Sequence, residues 1–168
     1  MTGRIHTLVG LIALAPLAAL TAACRETAAP VAPPTTTGDR SAHVSEHAAE
    51  VMPFDTDRAT HTFAPGDHGL VETVTADDPV DPTQVDLIRT HLAAEAHNFA
   101  NGDFDDPAKI HGDDMPGLAT LRAAGTRLTV AYADVPAGGR ISYTSTDPVV
   151  VDALHRYAAV QSMDHAHH

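Results

Sequence analysis

The chain has 168 residues, with 22 Asp and Glu against 10 Lys and Arg, a formal net charge of −12 with histidine neutral. That balance excludes a nucleic-acid binder, which needs a basic face against phosphates, and a polybasic membrane clamp. The length suits one ordinary domain, the scarcity of aromatics predicts a small aliphatic core, and a single cysteine excludes a disulfide framework or a Cys-rich zinc finger.

Residues 1–23 read as a signal peptide. Arg4 supplies a small positive start, Leu8 to Leu20 is uncharged and apolar apart from the break at Pro16, and Thr21-Ala22-Ala23 are small residues at a cleavage position. The stretch is short for a membrane span. Leu20-Thr21-Ala22-Ala23-Cys24 resembles a bacterial lipoprotein box, with the leucine one position further from the cysteine than usual. The resemblance implies acylation at Cys24 and an exported cell-envelope lipoprotein, periplasmic or on the outer surface, that touches the membrane through its lipid anchor only. The alternative is an ordinary secreted protein. Residues 24–40 hold Pro30, Pro33, Pro34 and Thr35-Thr36-Thr37, the composition of an extended linker.

Residues 41–168 read as one domain. Ser41 opens a helix that Pro53 ends. Thr60 to Phe63 and Leu70 to Thr75 alternate around the turn Pro65-Gly66-Asp67-His68-Gly69, a hairpin. Asp81 as N-cap, Pro82 at the first helical position, Gln84 two residues on and Gly102 beyond the end bound a helix whose stripe is Val85, Ile88, Leu92, Ala96 and Phe99. Asp103 to Gly117 reads as a loop, and Leu118 to Ala124 as a helical turn. Leu128, Val130 and Tyr132, then Ile141 and Tyr143, alternate around Pro136-Ala137-Gly138-Gly139, a second hairpin. Asp147-Pro148 opens a last helix with Val151, Leu154 and Ala158 on one stripe, and a disordered His-rich tail is expected from about residue 164.

The halves echo each other, down to Val85-Asp86-Leu87-Ile88 against Val151-Asp152-Ala153-Leu154. Two ββα units predict an α+β fold: a four-stranded antiparallel sheet with two helices on one face, plus the N-terminal helix. The other sheet face then needs cover from the N-terminal segment or a partner.

Several segments carry a family resemblance. They are Met52-Pro53-Phe54-Asp55, Thr60-His61-Thr62-Phe63, Gly102-Asp103-Phe104 with Asp106-Pro107, Ile110 to Leu118, Ala153-Leu154-His155 and Asp164-His165. Together, over roughly residues 43–165, the chain resembles a group of short exported bacterial proteins of unassigned function, often labelled aspartate carbamoyltransferase. Transcarbamoylases have two α/β domains and a Ser-Thr-Arg-Thr-Arg phosphate-binding run. Neither that run nor a Gly-rich phosphate loop occurs here, so no nucleotide is expected.

The 12 histidines point to metal. In His111-Gly112-Asp113-Asp114-Met115-Pro116-Gly117 a constrained loop collects imidazole, carboxylates and a thioether. His with Met suits copper, and His with Asp suits zinc or Cu(II). The alternative is a structural turn with Met115 in the core and the aspartates capping the next helix. His155 borders the last helix's apolar face, and His61 points opposite Thr60 and Thr62 on its strand. His43 and His47 stand four apart on one helix face. His165, His167 and His168 form a loose terminal cluster. Asp103-Phe104-Asp105-Asp106 lacks the glycine and terminal glutamate of a calcium loop, and haem has no attachment motif. No Gly-x-Ser-x-Gly elbow occurs.

The expectation is an exported domain that binds a transition metal, copper before zinc, for sequestration or delivery. Its inner candidates are His111, Met115, His155 and His61, with His43, His47 and His165 auxiliary. The alternatives are a small exported enzyme working by His–Asp acid–base chemistry through His111 with Asp113 or Asp114, and a structural or interaction domain that binds no metal.

Overall fold

A computed structural model describes residues 37–165, with side chains from Arg40 onward. Cys24, the expected signal peptide, most of the expected linker, His167 and His168 lie outside the described residues. The elements are α1 (Thr37–Val51), β1 (Ala59–Gly66), β2 (Gly69–Ala76), α2 (Pro82–Ala100), α3 (Asp105–His111), α4 (Leu118–Arg122), β3 (Thr129–Val135), β4 (Gly138–Thr144) and α5 (Pro148–His165). No described helix is long and apolar enough to cross a membrane.

The fold is α+β, an open antiparallel sheet in the order β1-β2-β4-β3. The two hairpins join through their second strands, with Glu72 of β2 opposite Ile141 of β4. The helices cross over. α2 follows the first hairpin but lies mainly on β3 and β4, while α5 follows the second and lies on β1 and β2. Each unit thus buries its helix against the other unit's hairpin, so neither could close its core alone.

The covered face presents Leu70, Val74, Ile141 and Tyr143, which pack with Ile88, Leu92 and Phe99 of α2 and Leu154, Tyr157 and Ala158 of α5. Phe104 stacks on Phe99 at 4.6 Å between ring centroids and receives the edge of Tyr157. The opposite face carries Thr60, Thr62, Thr73, Thr129, Ser142 and Thr144, and nothing among the described residues covers it. Hydroxyl and methyl groups on this face tolerate water.

The local signals explain most elements. The Asp81 side chain accepts from Gln84 N–H at 3.1 Å, and Pro82 stands at the first position of α2. Three expectations need correction. The segment read as a loop contains α3, whose Asp105 and Asp106 sit at the positive helix end and Lys109 and His111 at the negative end. Seven residues are too few to show periodicity, and Phe104, Ala108 and Ile110 are held by burial instead. The last helix runs on to His165, through the residue at which a tail was expected. Its buried face is also turned towards Val150, Ala153 and Tyr157, leaving Val151 half-buried. Within the expected linker, Thr37 already begins α1.

Candidate functional site

A cavity of about 30 Å³ lies between the covered sheet face and the helices. That is room for a water molecule or a bare ion, far below the roughly 300 Å³ and upward of small-molecule sites. Its wall is polar to an unusual degree for a core. It includes His61 and Glu72 from the sheet, His91 and Glu95 from α2, Asp106 and His111 from α3, and Tyr157, Gln161 and His165 from α5, with Met52 at the end of α1.

Strand alternation turns His61 inward beside Phe63, and Glu72 inward between Leu70 and Val74. Four-residue spacing sets His91 and Glu95 on one face of α2. The internal repeat completes the arrangement. Counted from the two Asp-Pro signals, His91, Glu95 and Phe99 on α2 correspond to Tyr157, Gln161 and His165 on α5. All six face the cavity. Glu72 and Ile141, the paired residues where β2 meets β4, form part of its floor.

Three imidazoles meet. The His61 and His165 rings stack at 4.5 Å with 14° between planes, and His111 presents its edge to His165 at 5.7 Å. Phe54 packs on both His61 and His91, and Phe63 on His165. His111 is held by a charged pair. Its Nδ1 lies 2.7 Å from Asp164 Oδ2, and Arg40 grips the same carboxylate through Nε at 2.8 Å and Nη2 at 2.7 Å.

Burial works against an ionised Asp164, but the hydrogen bonds from Arg40 and His111 outweigh it and hold the carboxyl below its ordinary range. Burial also lowers His111, outweighing the support of Asp164, so the ring is neutral at pH 7. A carboxylate can only accept, so Nδ1 carries the proton and Nε2 the lone pair, with the Gln161 side chain also within hydrogen-bond reach of the ring. An imidazole oriented through Nδ1 by a carboxylate is the usual state of a metal-binding histidine.

Two cavity carboxyls, Glu72 and Glu95, keep their protons to higher pH than usual. Burial pushes Glu72 up to about 7, even though it accepts from Tyr143 Oη at 2.7 Å. Burial, then the like charge of Asp106, pushes Glu95 up to about 8. Burial lowers His91 against the opposing pull of Asp106.

Of the residues singled out in the sequence, the structure brings together His61, His111 and His165. Met115 is not with them. It is buried in the main core, and its loop neighbour Asp113 is tied outward to Arg122 at 3.3 Å. No aspartate caps α4, which starts at Gly117 without a side-chain cap. His155 stands at a separate groove with His68, its Nε2 3.0 Å from the Gly66 carbonyl. His43 and His47 pack edge to face on α1 at 4.3 Å, away from the cavity lining. Sequence reasoning passed over Met52, Glu72, His91, Glu95 and Asp106. Only the His91–Glu95 spacing carried a readable signal.

Among the described residues, no three His, Cys, Asp or Glu side chains already surround one point as metal ligands. No family model, curated protein or solved structure matches the chain.

Proposed function

We propose that the cavity binds one transition-metal ion, copper before zinc, for sequestration or delivery outside the cytoplasm. The observation that carries this reading is His111. It is buried and neutral, and the Asp164–Arg40 pair orients it so that Nε2 keeps its lone pair beside two further imidazoles. His61 and His165 supply the other nitrogens after their rings turn out of the stack. Met52 supplies a thioether in the place assigned by sequence to Met115. Imidazole with thioether favours copper, and copper outranks zinc at most nitrogen sites. Because the neighbouring carboxyls hold protons, binding releases protons to solvent.

The His111–Asp164 pair also suits the alternative of acid–base catalysis, with Asp164 in the place assigned by sequence to Asp113 or Asp114. The cavity volume favours the ion, since an organic substrate has no room beside these groups. The lipid anchor and export remain part of the proposal, as does membership of the exported group whose motifs supply Met52, His61, Asp106, His111 and His165.

The test is titration of the untagged full chain with Cu(I), Cu(II) and Zn(II). One ion per chain, lost in His111→Ala and weakened in Met52→Leu but kept in Met115→Leu, is the expected result. Weak binding of several ions that persists in His111→Ala overturns the reading.

A further inference from the structure

We propose that α1 is a gate over the cavity and that Arg40 is its latch. The inference rests on the cavity as the working site. Val51 and Met52, at the end of α1, form part of the cavity wall. Displacing the end of α1 therefore opens that wall.

α1 is the most weakly seated long helix. α2 buries seven of its residues and α5 buries eight. In α1, from Arg40 onward, only Val44 and Ala48 are buried. They meet Ile110 of α3 in a small cluster apart from the main core. The seat also contains a fault, since His47 Nδ1 is buried without a hydrogen bond and stands 3.7 Å from the Glu50 carboxylate. A helix with few buried apolar contacts and an unsatisfied polar atom belongs among the first elements to open.

Two polar ties close it, and both end beside cavity residues. Glu50 meets Lys109 at 2.9 Å, two residues before His111. Arg40 holds Asp164, the residue before His165 and the partner of His111. The Glu50–Lys109 pair is half exposed and holds little. The Arg40–Asp164 pair is bidentate, and its carboxylate is 5% exposed, so it is the stronger tie. α1 thereby clamps α3 to the end of α5 beside the cavity.

Diethyl pyrocarbonate labelling of the metal-free full chain, read by peptide mass mapping, tests the gate. Arg40→Gln and, separately, Val44→Ala should speed labelling of His111 and His165 by roughly tenfold, which corresponds to about 1.4 kcal/mol in the opening equilibrium. His97, exposed on α2, should not change. Val44→Ala leaves the Arg40–Asp164–His111 contacts in place, so faster labelling in that variant reports opening of α1 rather than direct uncovering of His111. Hydrogen exchange on the unmodified chain should show residues 44–51 exchanging before 88–96. Unchanged labelling in both variants, or α1 amides protected like those of α2, overturns the gate. Accelerated labelling in a chain that takes up no metal sinks the metal reading and leaves the gate standing. Stoichiometric metal uptake at the same rate in the parent and both variants does the reverse.

Discussion

Glu72→Gln isolates what the cavity does to a carboxyl. Glu72 lies inward on β2, opposite Ile141, and accepts a hydrogen bond from Tyr143 at 2.7 Å. Burial raises it from 4.5 to about 7. At about 1.36 kcal/mol per pH unit, ionising it in the folded chain costs about 3 kcal/mol. The folded chain holds a proton that the unfolded chain has lost. Its stabilising contribution is therefore complete below pH 4.5, and is lost as pH rises through about 7. Glutamine keeps an oxygen for Tyr143 and cannot ionise. Urea unfolding of the metal-free chain should show parent and variant nearly equal at about pH 4. At about pH 8.5 the variant should be more stable by about 3 kcal/mol, a midpoint gain of about 1.5 M urea. An equal difference at both pH values would refute the reasoning, because lost packing or a lost hydrogen bond does not depend on this proton.

Met115→Ala should cost about 2–4 kcal/mol by thermal unfolding, since Met115 is 4% exposed in the main core, and metal content measured by mass spectrometry should stay the same. Gly117→Ala should destabilise by about 2 kcal/mol or more in the same melt. Its φ is +92°, and an added Cβ would stand 2.2 Å from the Ala153 carbonyl oxygen of α5. Asp164→Ala should cost about 2 kcal/mol at pH 7, after allowing for the exposure of Arg40. That cost should vanish as pH falls below 3.8 through the lowered carboxyl, because protonation already breaks the pair in the parent; urea midpoints across pH 2–7 check it.

The fold was largely legible because most elements carry a local mark. Asp81-Pro82 and Asp147-Pro148 open the two long helices, and alternation with Gly-rich turns marks both hairpins. What could not be read was the crossing of α2 and α5 onto each other's hairpins. Sequence neighbours usually pack together, and only the pairing of β2 with β4 places each helix over the distant unit. α3 was missed because seven residues make fewer than two turns. The buried end of α5 was missed because Asp164 and His165 look like solvated tail until Arg40 and His111 are placed against them.

The candidate site was legible in its residue types and illegible in its geometry. His61, His111 and His165 come from a strand, a short helix and a helix end, so no spacing rule connects them. Met115 attracted attention because it adjoins His111 in sequence, but a residue four along a loop need not share its direction, and the core took it. The thioether at the cavity is Met52, and the carboxyls come from Glu72, Glu95 and Asp106 rather than the neighbouring Asp113 and Asp114. Formal charge misleads in the same way. A count of −12 treats Glu72 and Glu95 as anions, yet burial holds them at about 7 and about 8. The acidic surface attracts cations, while Glu72 and Glu95 in the cavity behind it hold their protons to higher pH than surface carboxyls do. An ion that enters must therefore displace protons, and its affinity should rise with pH through the range in which these two carboxyls give them up.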